Sequence, residues 1–238
     1  MVLTQQAVAE KSNEITAIPE VLSLLELAGA TVTIDAMGCQ KAIARQIVEA
    51  GGDYVLSLKD NHPTLYDDVR LWLDTEAAAG RLLPHETLEK DHGRIEIRRY
   101  VLSERLDWLE SKSAWEGLQA VGRVESIRMM GDKTTTEHRY YLCSHTDLLR
   151  FASESRNHWG IENGQHWVLD VQFNEDAHRT YKDHAAENLA RVRRMALNII
   201  RHNDPSSKLS LRRRKRLASL NDHYRTRLIF GDQPPQVT

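Results

Sequence analysis

The chain has 238 residues, 41% of them hydrophobic and 28% charged, and a formal net charge of −2. That composition supports a folded core of one large or two small domains and excludes a disordered chain. No run approaches the ~18 uninterrupted apolar residues of a membrane span, and the start MVLTQQAVAEKSN lacks the basic and apolar regions of a secretory signal.

In chain order, residues 2–8 (VLTQQAV) read as a short strand. Ser12 or Asn13 caps a helix with apolar positions Ile15, Ile18, Leu22 and Leu25. Pro19 suits its first turn, so the helix is expected to begin after Glu14, and Gly29 is expected to end it. Thr31–Ile34 is a β-branched strand, Gln40–Ala50 a helix closed by Gly51 and Gly52, and Tyr54–Leu58 a second strand. This strand–helix–strand order predicts two parallel strands. Asn61 is expected to cap a third helix, roughly Thr64–Ala79, with Pro63 at its first position.

The pattern then changes. Arg94–Leu102, Gln119–Met130 and Glu137–Cys143 read as strands, with Gly131–Lys133 as a turn and Trp108 and Trp115 between them. Helical patterns return over Leu148–Leu169, Asp183–His202 and Leu209–Leu220, and 231–238 reads as a disordered end. The divisions expected are 1–80, a β-rich 81–145, a helical 146–230 and the end 231–238.

The near-zero charge hides an asymmetry. Arg191–Arg227 holds twelve Lys/Arg against two Asp/Glu, a local +10, so the remainder carries −12. This suits either a polyanion partner, most simply nucleic acid, or a solvated helical face. Only two cysteines occur, Cys39 and Cys143, which fits a reducing compartment, the cytoplasm, without a disulfide framework.

Two places offer chemistry. Asp35 directly follows the strand TVTI. Carboxyl ends of strands gather ligand sites in open α/β sheets, and a carboxylate there suits Mg²⁺ or Mn²⁺; it equally suits a helix N-cap. The segment Arg156–Asp170 (RNHWGIENGQHWVLD) places His158, Glu162 and His166 four apart, on one face if helical, with Trp159, Asn163 and Trp167 as the adjacent row. That row fits metal binding or capping and packing. H-E-x-x-H, Walker, G-x-G-x-x-G and G-x-S-x-G patterns are absent.

KSNEITAIPEVLSLLELAGATVTIDAMGCQKAIARQIVEAGGDYVLSLKDN, RNHWGIENGQHWVLDVQFNEDAHR and ENLARVRRMALNIIR resemble bacterial insertion-sequence transposases of the DDE type, in the branch of the H-repeat-associated proteins. The resemblance implies an RNase H-like α/β core interrupted by a mainly β insertion, with a helical, basic C-terminal region. It implies three carboxylates holding two divalent metals, Mg²⁺ or Mn²⁺, that cut and join the DNA of the terminal inverted repeats. Asp35 in TIDAMGCQ matches the second Asp, and Glu162 in HWGIEN matches the Glu. Related transposases often carry Arg four residues before the Glu and Lys seven after it; here these positions are His158 and Leu169. Contacts to DNA are therefore expected from Lys59, Arg156, His158, Arg179 and the run Arg212, Arg213, Arg214, Lys215 and Arg216.

The family's first Asp lies in a motif resembling DGKTLRG. Residues 1–30 hold no such motif; their acidic residues are Glu10, Glu14, Glu20 and Glu26. The sequence thus reads as an amino-terminally truncated, nucleoid-associated transposase, expected to be inactive in strand cleavage alone and marginally stable or self-associating. Its expected partners are DNA and a second copy or an intact transposase, with no membrane. Competing readings are a non-catalytic remnant that occupies transposon ends, and a metal hydrolase built on Asp35 and the His158, Glu162 and His166 row.

Overall fold

The computed structural model describes residues 3–4, 14–91, 93–180 and 182–231, apart from the side chains of Glu14, Glu162 and Asn163. Most of the 2–8 strand, the Ser12 or Asn13 cap and residues 232–238 of the end lie outside the described residues. Two compact units divide the chain, one within residues 8–160 and one within 161–238.

In the first unit, β1 (Thr31–Ile34), β2 (Asp53–Leu58), β3 (His85–Asp91), β4 (Arg94–Ser103), β5 (Ala120–Met130) and β6 (Lys133–Cys143) form one sheet. Their order is β1-β2-β6-β5-β4-β3. β1 and β2 are parallel, with Ile34 opposite Leu56. β6 runs antiparallel to β2, with Tyr140 opposite Leu58, so the later strands continue the same sheet. The remaining neighbours are antiparallel.

Pleating divides the core into two layers. Tyr54, Leu56 and Leu58 of β2, Val121 of β5 and Leu142 of β6 meet α1 (Glu14–Ser23), α2 (Lys41–Glu49) and α3 (Pro63–Ala78) through Leu22, Ile43, Ile47, Val69 and Leu73. Val55, Tyr100, Val124 and Tyr141 form the other face, covered by Phe151 and Ala152 of α4 (Leu148–Ile161). Gly122 makes room there: a Cβ on it would sit 2.6 Å from Phe151 Cζ.

Several expectations need correction. α1 begins at Glu14 and carries Pro19 in its interior, and it ends at Ser23, ahead of Gly29. An interior proline costs about 3 kcal/mol; burying Leu22 with Ile18 and Leu25 against the core offsets it. Asn61 does not cap α3; the cap position is His62, and the Asn61 amide donates instead to the Ala36 carbonyl. β3 has no counterpart among the expected strands and is an edge strand of mostly charged residues. β6 starts at Lys133, earlier than Glu137.

The second unit is helical among its described residues. A π-helical turn, Glu162–His166, leads into α5 (Trp167–Phe173), α6 (Ala185–His202), α7 (Leu211–Leu220) and α8 (Asp222–Phe230). Ser210 caps α7 through the Arg213 N–H, and Asn221 caps α8 through that of Tyr224. Leu169 and Leu197 are buried together, and Ile200, Tyr224 and Leu228 form a second cluster.

Candidate active site

Asp35 sits where the pleat of β1 ends. Val32 and Ile34 pack into the core with α1–α3, so Thr31 and Thr33 take the opposite face. Asp35 is the next residue of that alternation, exposed at the carboxyl end of the strand. It opens a short 3-10 turn (Ala36–Gly38), and its Oδ1 accepts the Gly38 N–H at 3.4 Å. The cap reading of Asp35 is therefore satisfied, while its exposed carboxylate stays open to solvent. The turn is tied to the loop after β2: Asn61 Nδ2 donates to the Ala36 carbonyl at 2.6 Å, and His62 Nε2 to that of Cys39 at 2.7 Å. Lys59 and Asp60 are exposed on that neighbouring loop. Two adjacent parallel strands thus end together in a braced rim bearing carboxylates and a cation.

α4 lies along the Thr31 and Thr33 face. Arg150, Glu154 and His158 recur every four residues and so share one helix face. Arg150 donates to Thr31 Oγ1 and pairs with Asp53 at 2.8 Å and Glu154 at 2.9 Å. Glu154 also meets His145 Nε2 at 2.8 Å. Burial pushes the Glu154 carboxyl up, but hydrogen bonds from His145, Thr31 and Arg150 outweigh it and hold it below the usual range. One turn further on, His158 Nδ1 lies 3.1 Å from Thr33 Oγ1. The carboxyl-terminal end of α4 therefore reaches the strand two residues before Asp35. The row read from the sequence runs from His158 toward Glu162 and His166; the row that meets Thr31 and Thr33 runs back from His158 to Glu154 and Arg150.

The expected DNA-contacting residues divide. Lys59 lines a 350 Å³ cleft with Ser57, Tyr66, His138 and Arg139. Arg139 stacks its guanidinium 3.6 Å from the Trp159 ring centroid. Arg156 is engaged on Glu89 of β3, at 3.0 Å. In the helical unit, Arg179, Arg212, Arg213 and Arg216 are exposed. Arg214 and Lys215 are half-buried: Arg214 donates to the Ile200 and Asp204 carbonyls, Lys215 to that of Gln172.

α4 ends at Ile161, so Glu162 and His166 belong to the π turn rather than to one α-helix shared with His158. Such turns concentrate at functional sites. Among the described residues, no three His, Cys, Asp or Glu side chains gather as a metal cluster. Burial pushes the Cys39 thiol up to about 12 and Cys143 well above its usual range, so neither offers a thiolate at neutral pH.

Residues 1–199 match the family model of the transposase DDE domain. The chain belongs to the DDE transposase family. It is 37% identical over 241 residues to the H repeat-associated putative transposase YhhI of Escherichia coli K12, covering 97% of this chain and 63% of that one. It is 37% identical over 230 residues to the putative transposase YncI of E. coli O157:H7, covering 94% and 59%. An uncharacterized protein in the dhlA 3′ region of Xanthobacter autotrophicus is 51% identical over 146 residues, 61% of this chain and 50% of that protein. This transposase-family chain thus spans less than two thirds of the length of these relatives. No solved structure matches it. Among its described residues, no helix is long and apolar enough to cross a membrane.

Proposed function

We propose that this transposase-family chain serves metal-dependent cutting and joining of insertion-sequence ends, with Asp35 and Glu162 as two of the carboxylates that hold Mg²⁺ or Mn²⁺. The observation that carries the reading is the placement of Asp35. It is an exposed carboxylate on a braced turn at the end of a parallel strand, approached on its own face by the carboxyl-terminal end of α4. Hard oxygen donors of this kind fit a hard divalent cation. When bound, the metals would polarise the phosphoryl group and the attacking and leaving oxygens of an in-line displacement. Asn61 and His62 fix the Asp35 turn, His158 fixes α4 against β1, and Lys59 presents a cation for a phosphate.

On this reading the sheet and its helices form an RNase H-like core within 1–80 and 146–230, with 81–145 as the β-rich insertion. The partners are transposon-end DNA and a second copy or an intact transposase, in the cytoplasm at the nucleoid. Strand cleavage needs the third carboxylate that the family resemblance implies. Metal binding therefore tests Asp35 and Glu162 by themselves. Manganese titration followed by electron paramagnetic resonance is expected to show binding by the 238-residue chain, lost in Asp35→Ala and in Glu162→Ala. Unchanged manganese affinity in both variants would overturn the assignment.

A second reading, occupation of transposon ends without cutting, is favoured by the exposed Arg212, Arg213 and Arg216 of α7. It predicts end binding that is indifferent to Asp35→Ala and to added metal.

A further inference from the structure

α7 sorts its charges by face. Leu211, Leu217 and Ala218 pack against Ile200, Tyr224 and Leu228. Arg214 turns inward with them and donates to the Ile200 carbonyl at 2.7 Å and the Asp204 carbonyl at 3.0 Å, closing the end of α6. Lys215 holds the Gln172 carbonyl and lies 4.6 Å from the Phe173 ring centroid. The row Arg212, Lys215, Arg216 and Ser219, at helical spacing, lines a 490 Å³ groove whose other wall includes Gln172 and Asn174.

The lining of this groove holds three cations and no carboxylate. Elsewhere in the same unit, Arg191 pairs with Glu187, Arg194 with Glu175 and Arg225 with Asp222. Like charges four apart on a helix repel, so the Arg212 and Arg216 pair works against α7 when nothing anionic lies between. Their Cα atoms are separated by about 6 Å along the helix axis, and both guanidiniums are exposed. Side-chain amides such as those of Gln172 and Asn174 complement phosphate oxygens.

We propose that this groove between α5 and α7 seats the DNA backbone, with Arg212 and Arg216 as its phosphate contacts and Arg214 and Lys215 as tethers of the fold. The proposal rests on the DNA reading above and divides the basic run into two roles. A nucleic-acid backbone fits better than a single free phosphate because the two guanidiniums are separated along an open groove.

The test is anisotropy of the full chain on a short labelled duplex across a salt series. R212Q/R216Q is expected to lower the slope of log K against log salt by about 1.8, about 0.9 per phosphate contact. Its affinity deficit then shrinks about twelvefold between about 50 and about 200 mM salt. R191Q/R225Q removes the same charge from paired arginines and is expected to keep the wild-type slope. Circular dichroism is expected to match in all three proteins. An unchanged slope in R212Q/R216Q, or an equal loss in R191Q/R225Q, overturns the groove while leaving the DNA reading intact. Displacement of the duplex by inorganic phosphate at matched ionic strength would make it a free-phosphate site and also overturns the proposal. A wild-type chain that binds no DNA overturns both readings.

Discussion

His158 and Thr33 are 3.1 Å apart, side chain to side chain, across a sequence separation of 125 residues. This bond and the Arg150–Thr31 bond earlier on the same helix face lock α4 onto β1. They set the end of the helix level with the end of the strand, where Asp35 begins. A double-mutant cycle of Thr33→Val and His158→Ala, read by urea unfolding, is expected to give a coupling of about 0.5–1.5 kcal/mol, the net worth of one hydrogen bond. Coupling indistinguishable from zero would remove the bond from the account of how the rim is held.

Asp35 serves two purposes that one substitution separates. Its carboxylate caps the turn through the Gly38 N–H, and its exposed oxygens are the proposed metal donors. Asn caps about as well as Asp but offers metal only a neutral oxygen. Asp35→Asn is therefore expected to leave unfolding free energy within about 0.5 kcal/mol of wild type while manganese binding is lost. A variant that retains manganese would place the metal elsewhere.

The sequence made some of this legible and hid the rest for physical reasons. β2 declares itself because a strand buried on both faces demands a nearly continuous apolar run, α2 through its strong amphipathicity, and the half-buried Thr31–Ile34 through its β-branched residues. β3 stays hidden because an edge strand reading HETLEKD buries little, so no alternation marks it. Asn61 looks like a cap because local chemistry favours that role; a contact to Ala36, distant in sequence, takes its amide instead. The even spacing of His158, Glu162 and His166 suggests one α-helical face, and no spacing rule announces the π turn that begins at Glu162. The basic run from Arg212 to Arg216 was plain as charge. That Arg214 and Lys215 would bend to carbonyls while their neighbours remain exposed depends on α5 and α6.

The network under α4 gives a pH signature. Burial alone would raise the Glu154 carboxyl, but the hydrogen bonds from His145, Thr31 and Arg150 hold it below its unfolded value. A folded value below the unfolded one stabilises fully above about pH 4.3, the ordinary glutamate range, and the benefit is lost as pH falls through the folded value. Arg150, Asp53 and His145 also face this site, so the comparison is wild type against E154Q across pH. Wild type is expected to be the more stable protein at neutral pH, with the difference shrinking below about pH 4.3. A difference that stays constant to pH values well below that range would show that Glu154 contributes packing rather than charge.

Gly122 tests whether the sheet and α4 are packed as tightly as the geometry implies. An added Cβ would lie 2.6 Å from Phe151 Cζ and 3.0 Å from Cε1 and Cε2, closer than van der Waals contact on three atoms of a fully buried ring. The ring cannot retreat freely, since Tyr100 and Tyr141 meet it edge-on at centroid distances of 6.4 and 5.4 Å. Gly122→Ala is therefore expected to cost about 1–3 kcal/mol in urea unfolding, the usual range for overpacking a core. Phe151→Leu alone loses ring contacts and is also destabilising. In G122A/F151L, however, the smaller side chain vacates the space that the new methyl group needs, so the combined loss is expected to fall below the sum of the two. Strict additivity would mean that α4 shifts off the sheet to relieve the clash, and with it the His158–Thr33 bond that sets the rim of the site.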